Sequence, residues 1–248
     1  MAKAPRAGQS KTRLTPRLSP EQAAQMSAAF LGDVTANLAL ASGQTGGAIV
    51  AYIAYAPAGA AASFDGIVAP GTRLLLADGT TAPAAGVAGF GACLLHAIRA
   101  LLEDGHSAAC VLNSDSPNLP TGVLLAAHAA LAAPGDAIVM GAAEDGGYYL
   151  LGMKQAHAAL FAHIDWSTDR VAAQTRARAA QAGLDVIELD TWYDVDEPAA
   201  LDRLLDDLAA AHGAGAYAAP RTAACVERLG LTGGSAIGAS APVSGALP

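Results

Sequence analysis

Short apolar runs alternate with longer Ala-rich stretches of helical character along most of this 248-residue chain. No other feature of the sequence constrains its fold as much. Runs at 48–55, 72–77, 107–113, 137–141, 148–152 and 185–189 are rich in β-branched, Leu and aromatic residues and read as strands. Helices are expected between and around them, at 91–103, 121–132, 155–163, 168–182 and 198–211. Ser19-Pro20-Glu21-Gln22 marks one further helix start, with Ser19 as N-cap, Pro20 in the first turn and Gln22 three residues after the cap. That helix should run to about Ala41 and bury Phe30, Leu31, Val34 and Leu38. The order predicts an α/β fold: one three-layer, Rossmann-like domain whose mostly parallel, mixed sheet is covered on both faces.

The length suits one such domain with a substantial core. Hydrophobic residues make up 53% of the chain and charged residues 15%, so most of it should pack. Aromatics are only 5%, leaving Ala, Leu and Val to build the interior. The domain is expected over residues 1–212, followed by a C-terminal extension at 213–248. From about 233 that extension is rich in Gly, Ala, Ser and Pro and reads as flexible.

Charge and cysteine content narrow the function classes. Five of the 14 basic residues, Lys3, Arg6, Lys11, Arg13 and Arg17, precede the first acidic one, Glu21, so the remaining body is strongly acidic. Nucleic-acid binding needs an extended basic face, whereas a compact basic loop suits a single polyphosphate. No apolar run reaches the roughly 18 residues needed to cross a bilayer, and no membrane association is expected. The start carries no secretory h-region, and Pro5, Gly8, Pro16 and Pro20 break any amphipathic targeting helix there. Cys93, Cys110 and Cys225 fit neither a disulfide framework nor a zinc site, which makes a reducing cytoplasm the expected location. Oligomeric state is not readable.

Four polar islands interrupt the apolar background. The first, Lys3 to Leu14, is cationic and contains Gly8. It is not a Walker loop, because Ser10 stands where that motif needs Gly before Lys11. A turn presenting backbone N–H groups beside Lys3, Lys11 and Arg13 could hold a pyrophosphate, or could be a solvated basic turn. The second island, Ser114-Asp115-Ser116-Pro117, places a carboxylate at the end of a buried run, where open α/β sheets bind ligands. Mg²⁺ needs only one or two protein carboxylates beside phosphate and water; the rival reading of Asp115 is an Asx-turn before Pro117.

The third island, Glu144-Asp145-Gly146-Gly147, lies between two apolar runs. Asp145 could act as a general base or bind hydroxyls, but Asp-Gly is foremost a hairpin signal. In the fourth island, Asp194 and Asp196 are two apart and share one face of an extended segment. They could add carboxylates to the same metal, or Asp196 could cap the helix that starts near Pro198. Trp166-Ser167-Thr168 reads as a helix start with Ser167 or Thr168 as cap.

Taken in order, Lys3-x-Pro5-x-x-Gly8-x-x-Lys11-Thr12-Arg13-Leu14, Ser114-Asp115-Ser116-Pro117, Asp145-Gly146-Gly147-Tyr148-Tyr149-Leu150-x-Gly152, Trp166-Ser167-Thr168 and Tyr193-Asp194-Val195-Asp196 resemble the DUF2064 glycosyltransferase-like family, also called the radical-SAM/selenodomain-associated transferase 1 group. The likeness spans about residues 1–208. It implies a GT-A-type nucleotide-diphospho-sugar transferase fold, more distantly similar to the molybdenum-cofactor and 2-phospholactate guanylyltransferases.

By motif position, the resemblance implies nucleotide or phosphate binding by Lys3, Pro5, Gly8, Lys11, Thr12, Arg13 and Ser114. It implies Mg²⁺ or Mn²⁺ binding by Asp115, with Asp194 and Asp196 nearby. Lys11 and Arg13 would offset charge on the leaving phosphate. Asp145, with Gly146, Gly147 and Tyr148, would receive a small-molecule acceptor. The expected reaction is metal-dependent transfer from a nucleotide sugar. Nucleotidyl transfer from an NTP and a non-catalytic nucleotide-binding role are the alternatives.

Two departures stand out. Only Met1-Ala2 precede Lys3-x-Pro5, where the family usually has a full apolar strand, so the first strand is either very short or truncated. Gly89-Phe90-Gly91-Ala92-Cys93 stands where the family often carries an Asp-Leu-Gly-x-Arg-like segment.

Overall fold

A computed structural model describes residues 1–78, 84–210 and 215–231. The stretch read as flexible from about 233 lies outside the described residues. In chain order the elements are β1 (Ala2–Lys3), α1 (Pro20–Gln44), β2 (Tyr52–Ala56), β3 (Arg73–Leu76), α2 (Gly89–Glu103), β4 (Ala109–Leu112) and α3 (Thr121–Ala132). There follow β5 (Ile138–Ala143), β6 (Tyr148–Met153), α4 (Val171–Gln181), β7 (Val186–Trp192), α5 (Pro198–Ala209) and α6 (Pro220–Leu229).

The strands form two sheets. β1, β2 and β3 lie in that order and are parallel, with Ala2 opposite Tyr55 and Lys3 opposite Ala56. The second sheet has the order β4-β6-β5-β7, in which β6 is antiparallel to both neighbours and β5 is parallel to β7. The expected α/β class with a mixed sheet is what the chain adopts.

Strand alternation divides the core between two faces. Ile138, Met140 and Leu151 pack with Leu94, Leu95 and Ile98 of α2 and with Ala172 and Ala179 of α4. Val139 and Leu150 pack on the opposite side with Leu124, Ala127 and Leu131 of α3. A further cluster joins Met26 and Phe30 of α1 to Leu201, Leu204 and Leu205 of α5, and it holds Tyr193 and Val195. Helices thus cover both faces of the strands. Among the described residues no helix is long and apolar enough to cross a membrane.

Local chemistry explains several boundaries. Ser19 accepts from the Gln22 N–H at 3.2 Å while the Gln22 side chain accepts from the Ser19 N–H at 2.8 Å, a complete capping box opening α1. The helix expected at 155–163 is a single 3-10 turn, Ala158–Phe161. One turn suffices to bury Leu160 and Phe161, and His163, at φ 53°, cannot continue a helix. Ser167 and Thr168 do not cap α4: its N-cap is Arg170 with no side-chain cap bond, and Ser167 is left-handed. Regular strand structure starts at Tyr52 instead of residue 48, because β3 begins opposite Tyr52 and β1 reaches only Tyr55 and Ala56, leaving 48–51 without a ladder partner.

Helix α6 has no counterpart among the sequence expectations. Its N-cap, Ala219, offers no side-chain acceptor. Asp33 of α1 caps it from a distance, accepting from the backbone N–H of Arg221 at 3.0 Å and of Thr222 at 2.7 Å. Burial pushes the Asp33 carboxyl upward, and these bonds oppose that shift.

Candidate functional site

Three chain segments meet at the carboxyl ends of β1, β4 and β7. The first is the cationic loop after β1. Ser10, buried, donates to the Ala4 carbonyl at 3.1 Å and accepts from the Arg6 N–H at 3.0 Å, closing the loop on itself. The residue that rules out a Walker motif is therefore the clasp of a different turn. Gly8, at φ +72°, adopts the left-handed conformation this turn requires. Lys11 is also left-handed, at φ 50°, and heads a short 3-10 helix, Thr12–Leu14.

That conformation directs Lys11 inward. Its ammonium lies 2.6 Å from Asp115 Oδ1, 2.7 Å from Asp196 Oδ1 and 2.9 Å from the Val195 carbonyl. Three acceptors engage its three donors, and the side chain is only 6% exposed. Burial works to lower the Lys11 ammonium, but Asp115 and Asp196 outweigh it and hold the group above its ordinary value. Arg13, 65% exposed, approaches Asp196 Oδ2 at 3.8 Å. Lys3, Arg6, Gly8 and Thr12 are exposed, and Pro5 is half-buried.

The loops carrying the two acids are bonded to one another. Val195 N–H donates to the Asp115 carbonyl at 2.8 Å, and Ser116 Oγ donates to the Tyr193 carbonyl at 2.8 Å. Asn118 Nδ2 reaches the Tyr193 hydroxyl at 2.7 Å, and that hydroxyl donates to Asp207 of α5 at 2.6 Å. Burial and Asp207 both push the Tyr193 phenol up. Arg203 stacks 3.9 Å above the Tyr193 ring and pairs with Glu144 at 2.7 Å, tying α5 to the third polar island.

That third island is the turn of the β5–β6 hairpin, as its Asp-Gly pair foretells. Asp145 Oδ1 accepts from the Gly147 N–H at 2.8 Å. Gly146, at φ +87°, lies so close to Asp169 that a Cβ would collide with its backbone. The Ala172 N–H donates to the Gly146 carbonyl at 2.9 Å. Tyr148, beside this turn, buries its hydroxyl and sets its ring edge-on to Trp166 at 6.5 Å.

Asp194 feels the whole assembly. Burial first, then the charges of Asp145, Asp196 and Asp115, push its carboxyl up to about 6, with Lys11 opposing them. The sequence candidates Lys11, Arg13, Asp115, Asp145, Asp194 and Asp196 thus lie in one electrostatic neighbourhood. Ser114 Oγ sits 3.3 Å from Asp115 Oδ1. The rival cap role for Asp196 is not what the chain uses: the α5 N-cap is Glu197, without a side-chain cap bond. Among the described residues no three His, Cys, Asp or Glu side chains converge as a ready-made metal site.

Sequence reasoning missed Ser10, Asn118, Tyr193, Arg203 and Glu144 as the fasteners of this site. Ser10 lies within six residues of its partners, whereas Asn118 lies 75 residues from Tyr193 and Glu144 lies 59 from Arg203.

Residues 39–168 match the family described as "Uncharacterized protein conserved in bacteria (DUF2064)", a span that includes Asp115 and Asp145. No curated protein matches the chain. A crystal structure of a provisionally named nucleotide-diphospho-sugar transferase from Desulfovibrio desulfuricans G20 superposes with a TM-score of 0.73. It is 25% identical, and the alignment covers 92% of this chain and 94% of that one.

Proposed function

The chain belongs to the DUF2064 family, and on that premise we propose that it transfers a sugar from a nucleotide-diphosphate donor to a small hydroxyl-bearing acceptor. The observation that carries the reading is the meeting of Lys11, Arg13, Asp115, Asp194 and Asp196 at the strand ends of a fold shared with a nucleotide-diphospho-sugar transferase.

The donor set fits Mg²⁺ or Mn²⁺. Asp115, Asp194 and Asp196 offer hard oxygen ligands, and Asp194's carboxyl is raised first by burial and then by the charges of Asp145, Asp196 and Asp115. With no three acids converging as a ready-made site among the described residues, the protein would supply one or two carboxylates, Asp115 foremost, and phosphate and water the rest. When bound, such a cation would neutralise the diphosphate leaving group.

The chain's own residues would do the remainder. Lys11, saturated by protein acceptors, would act as a positioning residue that fixes Asp115 and Asp196. Arg13, together with the exposed side chains and N–H groups of the loop from Lys3 to Thr12, would bind the phosphates. The Asp145 turn would receive the acceptor hydroxyl: its oxygen attacks the anomeric carbon, the bond to the diphosphate oxygen breaks, and Asp145 takes the proton.

The test is a thermal-shift titration with nucleotide sugars and NTPs, with Mg²⁺ or with EDTA, followed by product analysis. A ligand at 100 times its Kd adds about 2.7 kcal/mol of stability. The expected result is metal-dependent stabilisation by a nucleotide sugar and release of a nucleoside diphosphate. Pyrophosphate release from an NTP, or no shift with any donor, would overturn the reading.

A further inference from the structure

Three aromatic rings run in file from the β5–β6 hairpin to the first turn of α2. Tyr148, which opens β6, sets its ring edge-on to Trp166 with the centroids 6.5 Å apart. Trp166 in turn meets Phe90 edge-on at 5.5 Å. Both spacings and both near-perpendicular arrangements are ones that aromatic pairs favour. Cover falls away along the file: the Tyr148 hydroxyl is buried, Trp166 is half-buried and Phe90 is 51% exposed. Phe90 is thus an exposed ring that extends a continuous aromatic surface.

The segment that carries Trp166 is held from both sides. His163, at φ 53°, and Ser167, at φ 64°, bracket it in a conformation that residues with a Cβ rarely adopt. The His163 N–H donates to the Gly86 carbonyl at 3.0 Å. A Cβ at Gly86 would lie 2.5 Å from the His163 ring, and one at Gly91 would lie 2.8 Å from the Trp166 ring. Toward α4, Gln174 bonds both the N–H and the carboxylate of Asp165 at 2.8 Å, and Thr168 donates to the Asp165 carbonyl at 2.7 Å. The ring of Trp166 is therefore placed by its surroundings, yet its polar edge is unused. The Trp192 indole N–H reaches Asn118 at 3.3 Å, whereas that of Trp166 makes no hydrogen bond among the described residues.

This surface adjoins the turn that holds Asp145. Tyr148 follows Asp145 by three residues, a span of at most about 10 Å, which one small molecule can bridge. Asp169 abuts Gly146, and the Ala172 N–H donates to the Gly146 carbonyl at 2.9 Å, so the Trp166 segment is joined to the hairpin itself. The cations suited to phosphate, Lys3, Arg6 and Arg13, belong instead to the loop after β1.

We propose, on the reading of the Asp145 turn as the place of the acceptor hydroxyl, that Phe90 and Trp166 form an acceptor subsite for an aromatic ring. The acceptor class is then a hydroxyl compound that carries an aromatic group, its ring against Phe90 and Trp166 and its hydroxyl toward Asp145. Phe90 and Trp166 determine specificity in this assignment, and Tyr148 supports the Trp166 ring from the side of the hairpin.

The experiment titrates the full chain with phenyl β-glucoside and with methyl β-glucoside, which share their ring hydroxyls and differ in the aromatic group. The chain has two tryptophans, so two indole N–H resonances are read by ¹⁵N-correlation NMR and assigned with a Trp192→Phe variant. The phenyl probe is expected to move the Trp166 resonance saturably and to bind about tenfold tighter than the methyl probe. Phe90→Ser, at an exposed position, is expected to keep Tm and to abolish that preference. Absence of a Trp166 shift up to the solubility limit of the phenyl probe, equal affinity of the two probes, or a preference that survives Phe90→Ser overturns the proposal. A larger Trp166 shift with uridine or guanosine monophosphate also overturns it, by making the rings a seat for the donor base. The titration needs neither donor nor turnover, so a failure to transfer sugar would sink the transferase reading while the ring preference is still read by itself.

Discussion

The Val195 N–H donates to the Asp115 carbonyl at 2.8 Å, joining the loops after β4 and β7 backbone to backbone. Ser116 and Asn118 reinforce the join through Tyr193. Tyr193→Phe removes a hydroxyl shared by Asn118 and Asp207, although those two remain within 3.3 Å of each other. The expected loss is about 1–2 kcal/mol in urea unfolding, together with a higher KM for the donor. An unchanged unfolding midpoint would mean that the hydroxyl contributes nothing to the join.

Lys11→Met leaves Asp115, Asp194 and Asp196 without their shared cation. The two paired carboxylates are 31% and 39% exposed, so the expected loss at pH 7.5 is about 2 kcal/mol, below that of a fully buried pair. Adding Asp196→Asn should restore part of it. A double-mutant cycle with no coupling would contradict the geometry.

Asp115→Asn keeps the loop's shape while removing the charge. Turnover with a nucleotide sugar should fall about 1,000-fold or more, and Tm should fall modestly because buried Lys11 keeps Asp196 but loses its nearer carboxylate. Wild-type turnover in this variant would sink the assignment of Asp115.

Gly146→Ala introduces a Cβ against the Asp169 backbone at a φ that disfavours it. The hairpin turn must shift, displacing Asp145. Stability should fall by about 2–4 kcal/mol, and a crystal structure of the variant should show residues 145–147 moved.

The Met1 ammonium gives a pH dependence of definite sign. Its value falls from 8.0 to about 6 on folding, so between those limits the unfolded chain binds more protons than the folded one. Stability should therefore rise as pH increases from 6 to 8, by roughly 2 kcal/mol, and level off above. Acetylating Met1 should flatten the curve across this window; urea midpoints at pH 6, 7 and 8 for the two forms provide the check.

Features settled by neighbours in sequence were readable before the structure. The Ser19/Gln22 capping box and the Asp145-Gly146 hairpin turn each involve residues a few positions apart. The order of strands and helices was likewise written in local periodicity. What escaped depends on distant partners. The Ser10 clasp looked like a defect in another motif until Ala4 and Arg6 supplied its bonds. Lys11 read as a phosphate ligand because its sequence could not show that Val195, Asp115 and Asp196 occupy its donors. The strand expected from residue 48 ignored the fact that extended backbone needs a neighbour to become a sheet.

The Asp33 cap on α6 ties folding to the schedule of synthesis. The carboxylate leaves the ribosome early, but the two N–H groups that satisfy it follow 188 and 189 residues later. Until then α1 presents an unmatched acid on a surface destined for burial. A nascent chain released before residue 222 would keep that acid without the N–H groups that satisfy it in the finished fold.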